Sequence, residues 1–134
     1  MSREAKARIA ELKHQYCYTI DGGDYEAWAN LFTPDGRFVR DNGDAYEGRE
    51  EIRRFATEEF DAAFADSAHI VTNPLIDVDG EEATGKWYLF LLTETKGGEV
   101  NWRQARYDDE YRRVDGEWHV SEINITYGVA PDGG

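Results

Sequence analysis

The side chains able to act chemically on a small molecule are few in this chain. Its three histidines, His14, His69 and His119, form no i, i+4 pair and stand near no cysteine cluster, so the spacing of a zinc site is absent. No glycine-rich phosphate loop and no G-x-S-x-G nucleophile elbow occurs. Cys17 falls mid-helix among large side chains, where a thiol fills core rather than acting as a thiolate. General acid and base chemistry remains. His69 opens a strand in Ala68-His69-Ile70-Val71-Thr72-Asn73 and shares a face with Val71 and Asn73. Asp21 follows directly on a helix, where carbonyl dipoles disfavour a carboxylate unless a cation or a donor meets it. Tyr16 belongs to the apolar stripe of that helix, so its ring is buried and its hydroxyl needs a partner. Each has a plainer alternative: a half-exposed strand histidine, an Asp-Gly turn and a core tyrosine bonded to a backbone carbonyl.

The elements that must position these residues follow from periodicity. Ile9, Leu12, Tyr16 and Ile20 line one helical stripe, with Arg3, Glu4, Lys6 and Lys13 free to face water, and Asp21-Gly22-Gly23 stops the helix. Asp24 caps a short second helix carrying Trp28, Leu31 and Phe32. Pro34-Asp35-Gly36 turns the chain into a brief strand around Phe38 and Val39, and Asn42-Gly43 is a further turn. From about Arg49 to Asp66, Ile52, Phe55, Ala56, Phe60, Ala63 and Phe64 recur at helical spacing and predict a third helix. After Ser67 the period becomes 2, and turns at Asp79-Gly80, Gly97-Gly98 and Asp115-Gly116 separate four antiparallel strands near 68–78, 82–95, 99–114 and 117–128. The second of these is apolar on both faces around Trp87-Tyr88-Leu89-Phe90, so one face meets the helices and the other another subunit. In the last, Trp118 and Val120 share one parity and Ile123 and Ile125 the other, which predicts a bulge near Ser121 or Glu122. The expected fold class is α+β: three N-terminal helices on a strongly curved, mainly antiparallel sheet, a cone with a cavity at its wide end.

Composition bounds the function. At 134 residues one domain over 1–134 is expected. A net charge of −13 excludes a phosphate-tracking nucleic-acid surface and docking on anionic lipid. A hydrophobic fraction of 40% with 13% aromatics excludes disorder. No apolar run approaches the roughly 20 residues that span a bilayer. A single cysteine and a charged N-terminal stretch point to a reducing, cytoplasmic setting.

These residues also form a familiar pattern. The runs Ile9, Leu12, Tyr16, Asp21-Gly22-Gly23-Asp24, Trp28 and Leu31-Phe32, then His69 with Thr72-Asn73, then Asp79-Gly80 with Ala83-Thr84-Gly85-Lys86-Trp87-Tyr88-Leu89, and finally Tyr107, Asp109-Glu110-Tyr111, Arg113, Asp115-Gly116 and Trp118, resemble the SnoaL-like branch of the NTF2-like superfamily over nearly the whole chain. Within it the chain looks most like the dehydratase and dehydrochlorinase group, which includes scytalone dehydratase and bile acid 7α-dehydratase. The resemblance implies a catalytic His69–Asp21 dyad, Tyr16 facing the substrate oxygen, no cofactor, no metal and a homo-oligomer, a trimer in preference to a dimer. Where ketosteroid isomerases carry an aspartate base this chain has Arg40, with Asp41 one residue off register. The last-strand arginine of the dehydratases is also missing, its neighbourhood taken by Ile123, Asn124 and Tyr127. Help for a leaving group is then expected from Arg40, Arg103 or Tyr127, and Trp87, Tyr88, Tyr107 and Phe90 are candidates for the cavity wall, of which strand parity admits only some. The expected activity is that of a cofactor-independent lyase or isomerase on a small apolar cyclic or polyketide-like molecule. The alternative is a non-catalytic binding or assembly module of the same fold.

Overall fold

The computed structural model describes residues 2–131. Helix α1 (Ser2–Asp21) and the short α2 (Tyr25–Asn30) lead into β1 (Phe32–Val39) and β2 (Ala45–Glu47). A third helical run follows as α3 (Gly48–Arg54), a π-helical turn (Phe55–Phe60) and the three-residue α4 (Asp61–Ala63). Four long strands complete the chain: β3 (Phe64–Asp79), β4 (Glu82–Thr95), β5 (Val100–Val114) and β6 (Glu117–Tyr127). They form one six-stranded sheet in the order β2-β1-β6-β5-β4-β3. All pairings are antiparallel except β1 with β6, so the sheet is mixed; it is curved and unclosed, with the helices on its concave side. Among the described residues no helix is long and apolar enough to cross a membrane.

Local chemistry accounts for the boundaries. Asp24 caps α2 by accepting from the Ala27 amide at 3.3 Å. Gly23, at φ 77°, and a bond from the Asp24 amide to the Thr19 carbonyl of 2.9 Å close α1 and fix the direction in which Asp21 leaves it. Glu110 pairs with Glu122 and Tyr111 with Val120, so Ser121 is the extra residue of a bulge. That bulge lets Trp118 and Val120 bury on the same side as Ile123 and Ile125, as their sequence parity requires.

The structure differs from the sequence-based expectation in three places. The third helical run ends at Ala63 rather than Asp66, because Phe64 already pairs with Thr95 at the start of β3 while its ring packs on Phe60 at 5.1 Å. Helical spacing of aromatics does not exclude a strand when a long neighbour offers backbone pairing. Lys13 does not face water: it is fully buried, because α1 packs its whole inner surface on the sheet and Asp109 of β5 stands opposite. Finally, α2 ends at Asn30, so Phe32 belongs to β1 rather than to the second helix, and Pro34-Asp35-Gly36 lies inside β1 rather than in a turn before it. Strand β4 has the two faces expected, with Trp87 and Leu89 buried and Tyr88, Phe90 and Leu92 turned outward at 52%, 40% and 40% exposure.

Gly85 is required by close approach. A Cβ there would lie 2.9 Å from Cε2 of Tyr111, whose ring crosses the strand to reach Trp87 and Asp109.

Candidate active site

The wide end of the cone holds a cavity of about 730 Å³ between the helices and the concave sheet. Its apolar wall includes Ile20, Trp28, Phe38, Phe55, Leu89 and Ile125. Polar groups reach it at two places: Tyr16, Tyr107 and His69 on one side, and Arg40, Glu59, Arg103 and Tyr127 on the other. Thr93, Glu99 and Asn101 also line it, so polar and apolar surface are about balanced, a composition that suits a small ligand with both apolar and polar parts.

The first polar group is built where α1 ends against β3. Asp21 points from the last residue of α1 into the start of the strand and accepts three hydrogen bonds. Its Oδ1 receives Ser67 Oγ at 2.7 Å and stands 2.6 Å from His69 Nδ1, and its Oδ2 receives the His69 backbone N–H at 2.7 Å. These bonds remove the conflict between a carboxylate and a helix C-terminus. Burial alone would raise the Asp21 carboxyl; the His69 imidazole, the His69 amide and the Ser67 hydroxyl outweigh it and hold the group below the usual carboxylate range. The His69 side chain is only 6% exposed and lines the cavity, with its ring 5.8 Å from Phe60 and 6.3 Å from Tyr16. With Nδ1 engaged by Asp21, Nε2 is the nitrogen left to meet a ligand.

Tyr16 is buried, and the Tyr107 hydroxyl donates to the Tyr16 oxygen at 3.3 Å. Burial pushes both phenols well above their ordinary values, so both remain protonated donors at neutral pH. Because Tyr107 fills an acceptor position of Tyr16, the Tyr16 proton stays available for another acceptor. The Cys17 thiol, one residue on, is pushed up to about 11 by burial and is no nucleophile.

On the second side, Arg40 packs its guanidinium 5.5 Å from the Phe55 ring centre and 3.9 Å from Glu59, while Arg103 lies 4.5 Å from the Tyr127 ring centre. Glu59 also accepts from the Tyr46 hydroxyl at 3.1 Å.

Of the residues singled out from the sequence, the fold brings Tyr16, His69, Arg40, Arg103, Tyr107 and Tyr127 to the cavity, with Asp21 bonded behind His69. Trp87 and Tyr88 do not reach it. Trp87 points inward but lies toward the narrow end, donating to the Tyr111 hydroxyl at 3.0 Å and meeting the His14 ring edge-on at 6.0 Å. Tyr88 has the opposite strand parity and faces outward, as does Phe90. Ser67, Phe60 and Glu59 are site residues that sequence reasoning missed. Only Ser67 carried a usable signal, since it precedes His69 by two residues and so shares its face of β3. Among the described residues no group of three or more His, Cys, Asp or Glu side chains is placed to ligate a metal.

Comparison with known proteins agrees with this architecture. Rv3472, a protein of unknown function from Mycobacterium tuberculosis, superposes with a TM-score of 0.86 at 30% identity, over 95% of this chain and 73% of that one. A protein from Novosphingobium aromaticivorans named after scytalone dehydratase gives 0.91 at 20% identity, over 99% and 90% of the two chains. Hexachlorocyclohexane dehydrochlorinase LinA-type3 from Novosphingobium barchaimii LL02 gives 0.88 at 20% identity, over 98% and 93%. At that identity the last two share the fold alone. The SnoaL-like domain family matches residues 1–124, nearly the whole chain, and with that match the protein belongs to the SnoaL-like domain family.

Proposed function

We propose that the chain is a single catalytic domain over residues 1–134, a cofactor-independent lyase or isomerase of the dehydratase and dehydrochlorinase type. Its substrate would be a small apolar cyclic or polyketide-like molecule. The observation that carries this reading is the 2.6 Å contact between Asp21 and His69 at the wall of a cavity lined by aromatic, aliphatic and polar side chains. In the proposed reaction His69 Nε2 takes a proton from a carbon next to a carbonyl. The C–H electron pair moves into the carbonyl as an enolate, whose oxygen accepts the Tyr16 hydroxyl proton in a hydrogen bond. The enolate then collapses and expels a leaving group from the β carbon, or is reprotonated elsewhere to give an isomer. In the elimination, the imidazolium returns its proton to the departing oxygen or to solvent. Asp21 keeps the imidazole proton on Nδ1 and stabilises the imidazolium, a role whose removal costs about 10⁴ in turnover in a comparable triad. One preorganised donor such as Tyr16 contributes about 3 kcal/mol to the barrier.

The same reading places the protein in the cytoplasm as a homo-oligomer, with a trimer preferred. Supporting it is the outward face of β4 and β5, where Phe90 stacks on Trp102 at 5.6 Å beside exposed Tyr88 and Leu92. The catalytic claim is tested by offering cyclic β-hydroxyketones and recording the conjugated enone by absorbance. Wild type should form product, and His69→Ala and Tyr16→Phe should each lose most of that rate without loss of fold. A His69→Ala protein that retains most of the rate would sink the assignment.

A further inference from the structure

Beneath the Tyr16–Tyr107 pair lies a buried ion pair that the proposed reaction leaves unused. Lys13 Nζ is 2.9 Å from Asp109 Oδ2, and both side chains are fully buried. The ammonium also sits 3.4 Å from the ring centre of Tyr107 and 4.2 Å from that of Tyr16. Behind it, Tyr111 donates to Asp109 Oδ2 at 2.6 Å and Trp87 donates to Tyr111 at 3.0 Å. The groups therefore run in series from the narrow end to the cavity: Trp87, Tyr111, Asp109, Lys13, then the Tyr107 and Tyr16 rings. The anion stands behind the cation, and the cation faces the two phenols.

Such a pair is a poor stabilising element. Two buried charges lose their hydration, which pushes the Lys13 ammonium down and the Asp109 carboxyl up from their ordinary values against their mutual attraction, and neither Lys13 Nζ nor Asp109 Oδ1 has a well-aligned hydrogen-bond partner among the described residues. Its orientation gives it a different use. A cation against the face of a phenol draws electron density from the ring and makes the hydroxyl a stronger donor, and the effect is larger where water is excluded. Both rings touched by Lys13 belong to the hydroxyl pair that meets the cavity.

We propose that Lys13, held in place by Asp109, is a positioning residue that strengthens Tyr16 as a donor to an oxyanion in the cavity. The proposal rests on the donor role given to Tyr16 above. It assigns the site a preference for ligands that carry or develop negative charge on a ring-attached oxygen.

The test uses two probes of nearly equal size, 4-nitrophenolate and the neutral 4-nitroanisole, with binding followed by their absorbance. Wild type should bind the phenolate more tightly than the anisole. In Lys13→Met/Asp109→Asn, which removes both charges and keeps an acceptor for Tyr111, phenolate affinity should fall about tenfold while anisole affinity is unchanged. Tyr16→Phe should abolish the same preference. A merely structural pair would weaken both probes together or neither, and either result overturns the proposal. Wild type binding both probes equally, or not binding the phenolate, refutes the donor role of Tyr16 and this proposal with it. A preference that survives in the double variant refutes the part given to Lys13 alone. Lys13→Met/Asp109→Leu provides a fully apolar replacement, and failure of both variants to fold would show the pair to be structural.

Discussion

Replacing Asp21 by Asn separates the dyad from an ordinary turn because the two give opposite signs. At a plain Asp-Gly turn after a helix, removing the charge relieves repulsion from the terminal carbonyls and should stabilise by about 0.5 kcal/mol. Here the carboxylate accepts three short bonds, from Ser67, the His69 amide and the His69 ring. Charge-assisted bonds contribute about 1 kcal/mol more than neutral ones, so about 3 kcal/mol is at stake, of which the helix-end relief and the partial solvent exposure of Asp21 leave about 2 lost. Asn also carries only one acceptor atom. If its oxygen keeps the His69 amide, its NH₂ meets Nδ1, and the bond survives only if the imidazole moves its proton to Nε2, the nitrogen meant to act as base. Asp21→Asn should therefore lower the thermal midpoint by roughly 5 to 8 °C. It should also reduce turnover by about 10² to 10⁴. The stability gap has a defined pH window. The folded Asp21 carboxyl lies below its unfolded value, so its contribution is present above about pH 3.9 and is lost as pH falls through the lower, folded value. Calorimetry on both proteins from neutral to acid pH should show a gap that is present at neutral pH and closes in acid. Equal or higher stability of the variant at neutral pH would refute the argument.

Gly85→Ala should destabilise by about 1 to 3 kcal/mol in urea denaturation, since the new methyl must displace the Tyr111 ring and with it the bonds to Asp109 and Trp87. Phe90→Lys, placed on the outward face of β4, should convert the proposed oligomer to monomer in sedimentation velocity at micromolar concentration; a monomeric wild type would contradict that assembly. The Cys17 thiol, pushed up to about 11 by burial, should react with a disulfide reagent at neutral pH only as fast as the protein unfolds. Rapid labelling of the folded protein would show that the core at Cys17 is open.

Much of this molecule is legible in its residues, and the gaps have physical causes. The stripe of Ile9, Leu12, Tyr16 and Ile20, the Gly-containing turns and the parity change at Ser121 specify α1, the meander and its bulge, because each is a local signal tied to one backbone geometry. The resemblance carried His69, Asp21 and Tyr16. What failed was non-local. Lys13 looked solvated because its partner, Asp109, lies 96 positions away, and a burial that depends on a distant counter-charge leaves no trace in helical periodicity. The end of the third helical run was misjudged because Phe64 suits either state, and only pairing with Thr95 decides between them. Strand parity keeps Tyr88 off the cavity, but nothing local shows that the inward Trp87 stands too far along the sheet to line it. The parallel pairing of β1 with β6 joins segments more than eighty residues apart, and its cause is likewise non-local.

The central claim is that Asp21, 2.6 Å from His69 Nδ1, holds the imidazole proton on that nitrogen and leaves Nε2 as a base aimed into the cavity. Long-range ¹H–¹⁵N correlation NMR of the imidazole, recorded over a pH series, reads this directly and requires no substrate. The account predicts a protonated Nδ1, its proton shifted downfield by the bond to Asp21, and an unprotonated Nε2. A proton on Nε2 in the wild type, with Nδ1 unprotonated, would contradict it.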